Sequence, residues 1–315
     1  MFGFRPTLAD QNSLTAVVTD ATGITLARVQ RAAGSPPTVV DWEFAPVENT
    51  ALLGKRLKQM AKARRLGRAR CATLLHPTAY RILLTEAPQV PAQERVQALR
   101  WVIKDMIDTP VQELNLQVFD FPDSGNEKEK QIYVVAAQQD KVLSCVEMLR
   151  GSAINIEVLD IMEMAQRNLA ELLPENTRGT AMVTFFDDVC VITLSKSGTL
   201  YMTRRVEIDA QTWQERPESI YERIALEIQR SLDYYNRHFR QAPIEQVYVT
   251  PAAMNVSGLL DYLARFFPKA PQLLNLLEIL AWSTPPPPHL HAQLAIAIGA
   301  ALRQDTNEYA DAPAN

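Results

Sequence analysis

The sequence predicts an α/β protein made of two halves on one plan, each a β-meander followed by helices and strands, with a small αβ segment inserted in the first half. Three observations carry this. Alternating apolar residues fall into two separate sets of three short runs, one at about 14–44 and one from 180. Each set leads into a helical pattern, a strand and a further helix. A helix bounded by Pro91 and Pro110 interrupts the first copy and has no counterpart in the second. Alternation sends one side of a strand to a core, and a 3.6-residue apolar period does the same for a helix.

In the first half, Leu14, Ala16 and Val18, then Ile24 and Leu26, then Val40, Trp42 and Phe44 predict three strands joined at DATG and AAGSPP. A helix at about 50–65 follows, with Leu52, Leu53, Leu57 and Met60 on one face, and then a strand at CATLL. The insertion reads as a strand at RILLT, a helix opening near Pro91 and ended by Pro110, and a strand at LNLQVFDF. The charged linker DSGNEKEKQ closes it, and IYVVAAQ is read as resuming the main sheet. KVLSCVEML, INIEVLD and IMEMAQRNLAELL then alternate helix, strand and helix.

The second half opens with strands at AMVTFF, VCVITLS and TLYMTRRV, turning at Asp187-Asp188 and at SKSG. In the long helix SIYERIALEIQRSLDYYNRHF, Ile220, Ile224, Ile228, Leu232, Tyr235 and Phe239 form one stripe, and Ser219 with Glu222 has capping-box spacing. A strand at QVYVT and a helix from about Val256 come next. The alanine-rich LHAQLAIAIGAALR suits close packing on a neighbouring sheet, and QDTNEYADAPAN reads as a frayed polar tail.

With 315 residues, 47% apolar and 22% charged, the chain can bury a large core. A net charge of -4 gives no electrostatic case for nucleic acid. The one basic run, KRLKQMAKARRLGRAR at 55–70, reads as a solvated helix face. Cys71, Cys145 and Cys190 are odd in number and scattered, hence core thiols, and His289 with His291 reads as a loop pair rather than a metal site. Neither LLNLLEILAW nor AQLAIAIGAAL reaches the about 18–20 apolar residues that cross a bilayer, and MFGFRPTLADQN lacks a signal-peptide core. A soluble, cytoplasmic protein is expected, with no membrane span.

Three stretches carry a family resemblance. VVAAQQDKVLSCVEMLRGSAINIEVLDIMEMAQRNLAELL is similar to the strand, helix, strand, helix of the actin-like ATPase superfamily, which has a ribonuclease H-like fold. EIQRSLDYYNRHFRQAPIEQVYVTPAAMNVSGLLDYL resembles its long helix with an R-S-L-x-F/Y pattern and the adenosine-site strand and loop, and GAALR matches its closing G-x-A-L-R. Within the superfamily, TLLHPTAYRILLTEAP and RWVIKDMIDTPVQELNLQVF resemble subdomain 1C of the PilM group of type IV pilus assembly proteins. The wording W-x-I-K-D-x-I-D-x-P-V is most similar to the branch that serves MSHA pili. The resemblance spans 12–303 and implies a first part of subdomain 1A at 12–72, an inserted 1C at 73–130 and a second part of 1A at 131–175. The second half then runs over 176–290, a closing helix over 291–303 and a disordered tail over 304–315.

The resemblance also implies a nucleotide site, and the residues there depart from the family pattern. Asp20, Thr22 and Gly23 match the first phosphate hairpin loosely, while the basic residue expected further on falls at Ala27, beside Arg28. Where the family has D-I-G-x-T-x-T, FFDDVCVI puts Phe186 near the glycine and Asp187 and Asp188 near the phosphate. Carboxylates against a polyphosphate repel it by about 1 kcal/mol or more per close pair. The adenosine loop S-G-G-x-A stands as TPAAMNVSG, beginning at Thr250 and keeping only Gly258, with Pro251 and Ala252 in place of small flexible residues. The expectation is a degenerate site, a pseudo-ATPase with no cofactor. The alternative is a working ATP-gated switch that uses ATP and Mg²⁺, in which substitution of Asp20 abolishes binding.

What the resemblance leaves is binding. It implies an adaptor that takes the N-terminal cytoplasmic tail of a PilN-like inner-membrane protein in a groove between 1A and 1C, beside other pilus platform or motor proteins. Candidate groove residues are Ile82, Leu84, Trp101, Leu116 and Val118, since an extended peptide suits edge pairing with side-chain pockets. Each also reads as subdomain core. Two further readings share the fold. An FtsA-like filament protein would use an amphipathic membrane helix, which QDTNEYADAPAN does not offer, and a GspL-type secretion platform domain normally continues into a transmembrane helix.

Overall fold

In the computed structural model, which describes residues 12–122, 130–239 and 241–304, the first meander forms as read. It comprises β1 (Ser13–Thr19), β2 (Gly23–Gln30) and β3 (Thr38–Pro46), antiparallel throughout. Helix α1 (Leu53–Ala63) follows, and β4 (Cys71–Leu74) returns parallel to β1. Both faces of β1 and β2 are buried, where alternation alone predicts one. Val17, Ile24 and Leu26 pack with Leu57 and Met60 of α1, whereas Ala16, Val18, Ala27 and Val29 face the other side. Leu52, expected on the buried face of α1, instead lies in the 3-10 turn before it and is 50% exposed.

The insertion contributes β5 (Tyr80–Glu86), α2 (Ala92–Val102), β6 (Leu114–Asp120) and β7 (Gln131–Gln138). Here the sequence reading is corrected: IYVVAAQ does not resume the main sheet but forms the central strand of a separate one, antiparallel to both β5 and β6. An unbroken apolar run marks a strand covered on both faces without saying which sheet it joins. The insertion therefore extends to 138 rather than 130; most of its charged linker lies outside the described residues. One face of the small sheet, with Leu83, Leu116, Val118, Ile132 and Val134, packs under Leu99 and Ile103 of the α2 region. The opposite face, with Ile82, Phe119, Val135 and Ala137, turns toward Leu159, Ile161 and Met164.

Helix α3 (Gln139–Arg150), β8 (Ile156–Asp160) and α4 (Met162–Ala170) complete the first half. The second half runs β9 (Thr180–Phe186), β10 (Val189–Lys196), β11 (Thr199–Glu207), α5 (Ala210–Glu215), α6 (Pro217–His238) and β12 (Gln246–Val249). Helix α7 (Ser257–Leu263), β13 (Gln272–Leu273), α8 (Leu276–Ile279), β14 (Ala281–Trp282) and α9 (His291–Ala301) close the chain. The sheets are ordered β14-β3-β2-β1-β4-β8 and β11-β10-β9-β12-β13, the same meander-plus-parallel-strand plan twice.

The stripe on α6 buries Ile220, Ile224, Ile228 and Tyr235 as expected. The capping box does not form. The helix begins at Pro217, a residue whose fixed φ suits a first turn, and Ser219 Oγ donates to the Arg216 carbonyl instead. By residue 281 the chain is already back in the first half: β14 pairs with β3, and Trp42 Nε1 donates to the Thr284 carbonyl at 2.7 Å. Helix α9 then lies on β1 and β2 and also against α4. A Cβ on Gly299 would come within 2.5 Å of the Ala165 carbonyl oxygen, and Asn168 Nδ2 donates to the Gly299 carbonyl at 2.9 Å. Arg303, which ends GAALR, pairs with Asp160 at 2.7 Å. Almost all of the tail read as disordered lies outside the described residues.

Candidate functional site

The two meander turns face each other across one cleft of about 740 Å³. In the β1–β2 turn, Asp20 Oδ1 accepts the N–H groups of Thr22 at 2.7 Å and Gly23 at 3.0 Å, and the Thr22 hydroxyl at 2.6 Å. A short acid commonly closes a turn this way. The β9–β10 turn has only two residues, and Asp187 takes φ +50°, a left-handed conformation that Asp tolerates better than most side chains. From there Asp187 Oδ1 accepts the Ala21 N–H at 2.9 Å, and Oδ2 lies 3.1 Å from His76 Nε2. Burial pushes the Asp187 carboxyl up, but the hydrogen bonds from His76 and Ala21, with the charge of His76, together hold it below the usual carboxylate value. Three successive amides, of Ala21, Thr22 and Gly23, are thus all taken by carboxylates of the chain. In an anion-binding loop such amides face the ligand.

The charge of the cleft has one sign. Its lining includes Asp20, Asp187, Asp188, Glu207 and Asp209, and no lysine or arginine among the described residues. Asp209 also caps α5, accepting the Thr212 N–H at 2.7 Å. Arg28 points away from the cleft, donating to Thr15 Oγ1 and the Arg64 carbonyl, because the pleat sends its neighbour Ala27 to the α9 side. The remaining lining is small or apolar: Phe185, Phe186, Ala252, Ala253, Met254 and Ile296 among others. A polyphosphate entering alone would meet these carboxylates, and among the described lining residues no lysine or arginine stands to pair with it. Among the described residues no group of three His, Cys, Asp or Glu is placed to hold a metal ion.

Four residues singled out from the sequence, Asp20, Thr22, Asp187 and Asp188, come together in the cleft. Three others do not line it. A Cβ on Gly23 would come 2.3 Å from the Ala45 carbonyl oxygen, so strand β3 alone demands glycine there. Thr250 is fully buried with its N–H on the Val183 carbonyl, and Gly258 lies under Tyr221, whose hydroxyl oxygen would be 2.9 Å from an added Cβ. His76 was missed: it stands in a loop with no motif, its Nδ1 held locally by Thr78, and only the meeting of the two halves brings Asp187 to its Nε2.

The proposed groove residues divide between two faces of the small sheet. Ile82 packs toward the body, while Leu116 and Val118 belong to the core under α2. Leu84 shares the side of Ile82 by strand alternation and is half-buried. Trp101 lies on the outer side of α2, 71% exposed. These five do not line one groove. A hollow of about 530 Å³ does lie where the insertion meets α3, lined by Thr109, Glu113, Gln138, Gln139, Asp140 and Leu143. It adjoins the start of β6, a strand at the edge of its sheet.

Two matching meander sheets, helices α4 and α9 packed between them, and a cleft at the facing turns define the actin-like ATPase fold. The solved structures similar to this chain share that fold. A chain of a PilM–PilN type IV pilus biogenesis complex matches with a TM-score of 0.70 at 20% identity, over 92% of this chain and 97% of that one. The cytoplasmic domain of EpsL, an inner-membrane component of the Vibrio cholerae type II secretion system, matches with a TM-score of 0.52 at 11% identity, over 93% and 96%. A Bacteroides thetaiotaomicron protein with an actin-like ATPase fold and unknown function matches at 0.50 and 9% identity, over 94% and 99%. No protein-family model matches the chain, and no curated protein matches it in sequence. Among the described residues no helix is long and apolar enough to cross a membrane.

Proposed function

We propose that this protein is a PilM-like cytoplasmic adaptor of a type IV pilus inner-membrane platform, of the MSHA-pilus branch typified by MshI. It binds the short N-terminal tail of a PilN-like membrane protein and does not turn over nucleotide. The observation that carries the reading is the likeness in fold, over 92% of the chain, to a component of a PilM–PilN complex. The W-x-I-K-D-x-I-D-x-P-V stretch supports the MSHA branch. The cleft supports the loss of nucleotide: its hairpin amides are held by Asp20 and Asp187, and its charged lining residues are all acids. For the tail, the hollow between the insertion and α3 replaces the scattered residues chosen from sequence. An extended segment there has an edge strand beside it for main-chain pairing and half-exposed Leu143 as an apolar contact.

Isothermal titration tests both parts. ATP with Mg²⁺ and a synthetic tail peptide of the PilN-like partner are titrated separately into the full chain. Peptide heat without ATP heat is expected, lost in Leu143→Asp. Micromolar ATP binding would overturn the degenerate site and restore the ATP-gated switch, whereas absence of peptide binding would overturn the adaptor.

A further inference from the structure

The basic run at 55–70 has a geometry that the adaptor reading does not use. It holds eight of the 32 lysines and arginines in the chain and none of the 36 aspartates and glutamates. Two of its arginines are tied down: Arg64 pairs with Asp41 and Glu43, and Arg70 with Glu157. Lys58, Lys62, Arg65 and Arg68 are exposed and no ion pair joins them to a carboxylate among the described residues. These four surround a hollow of about 820 Å³ whose floor is Ala61, Gly67 and the turn Gly151, Ser152 and Ala153. No acid lines it.

The floor is firm. Arg65 and Ala153 both adopt left-handed turns, and a Cβ on Gly67 would lie 3.1 Å from the Ala153 carbonyl oxygen, so the two turns are in close approach. Leu66, Leu149 and Ile154 are buried beneath. Along α1, Lys55, Gln59 and Lys62 follow at spacings of four and three on one exposed stripe, and half-exposed Leu52 lies in the 3-10 turn just before it. The whole surface lies on the α1 side of the first sheet, opposite α9 and the cleft.

We propose that this face docks on the anionic surface of a lipid bilayer, with phosphate headgroups held by Lys58, Lys62, Arg65 and Arg68, and Leu52 entering the interface beside Lys55. The chemistry favours a membrane over a nucleic acid. No Phe, Tyr or Trp stands between Phe44 and Tyr80 to stack a base, and the acidic remainder of the chain repels a polyanion that would wrap it. A flat anionic surface touches the basic face alone, and an exposed leucine among lysines suits an interface. The proposal does not depend on which partner binds elsewhere.

The test is co-sedimentation of the full chain with phosphatidylcholine vesicles, with and without phosphatidylglycerol. Binding only to the anionic vesicles, falling steeply with added salt, is expected. Each cation near such a surface strengthens binding by about fivefold. Lys58→Glu, Lys62→Glu, Arg65→Glu and Arg68→Glu together should therefore lower it by at least about a hundredfold. A milder set, Lys58→Gln, Lys62→Gln and Arg68→Gln, leaves the left-handed turn at Arg65 untouched and should still lose more than about tenfold, with an unchanged melting curve. Arg81→Glu with Lys104→Glu, in the insertion, should change nothing. Equal binding to neutral vesicles, full binding by the milder set, or duplex DNA bound as tightly as the anionic vesicles would each overturn the proposal.

Discussion

Asp187 and Ala21 are 166 positions apart in the chain, yet the Asp187 carboxylate accepts the Ala21 amide at 2.9 Å. The turns of the two halves are thus joined directly, by a side chain of the protein. His76 steadies the same carboxylate from the loop after β4. The link makes Asp187 a structural residue. Asp187→Ala loses both contacts and puts alanine at φ +50°, and is expected to cost about 1–3 kcal/mol in chemical denaturation. Asp187→Asn keeps the turn and part of the hydrogen bonding, and should cost less.

Acid should undo the same link. The Asp187 carboxyl has a folded-state pKa below its ordinary value. A depressed acid contributes stability that is fully present above its unfolded pKa, about 3.9, and is lost as pH falls through the lower folded value. The stability gap between the native chain and Asp187→Asn should therefore persist down to about pH 5 and close in more acidic solution. A gap that instead widened on acidification would show that the carboxylate is not the stabilised form.

A second tie between the halves is buried and ionic. Glu163 on α4 is fully buried, accepting the Tyr80 hydroxyl at 2.5 Å and Arg205 at 2.8 Å, and Arg205 also donates to the Tyr80 carbonyl. Removing one member of such a set strands a buried charge. Glu163→Gln is expected to destabilise the chain by about 3–5 kcal/mol in urea, and Tyr80→Phe, which loses the bond to Glu163 and the one accepted from the Met162 N–H, by about 1–3 kcal/mol.

Much of this architecture is legible in the sequence because local signals and the family resemblance agree there. The two meanders, the stripe on α6 and the turn at Asp187-Asp188 come from alternation, period and turn chemistry. What escaped was mostly non-local. IYVVAAQ is apolar on both faces in any sheet, so its partners depend on β5 and β6 closing around it. His76 acquires a role only when Asp187 arrives from the other half. Gly23 and Gly258 look like ligand glycines in a motif, yet Ala45 and Tyr221 explain them as packing. The five groove residues were chosen as apolar and near the insertion, and apolarity does not say which side of a sheet a residue occupies.

The crossing of α9 on α4 should tolerate no side chain at its closest point. An added Cβ at Gly299 meets the Ala165 backbone, which cannot step aside as a flexible side chain would. Gly299→Ala gains helix propensity but forces the two helices apart, disturbing the Asn168 bond to the same residue. The overpacking term should win, a net loss of about 1–3 kcal/mol in thermal or urea unfolding. An unchanged midpoint would mean that the helices separate freely.

Trp101 and Leu116 were grouped as one kind of residue from sequence, and their surroundings predict opposite behaviour. Trp101 is 71% exposed on α2, while Leu116 is 6% exposed in the core beneath that helix. Truncating an exposed side chain with no buried contacts changes stability by no more than about 0.5 kcal/mol, whereas removing a buried leucine leaves a cavity and costs about 2–5 kcal/mol. Trp101→Ala should therefore melt like the native chain, and Leu116→Ala well below it. The difference decides how partner-binding data are interpreted. A loss of tail binding in Trp101→Ala would report a contact, because the fold is intact, while the same loss in Leu116→Ala would report a damaged insertion. If Trp101→Ala is the variant that destabilises the chain, the indole is covered in solution, and the outer face of α2 is packed against something other than water.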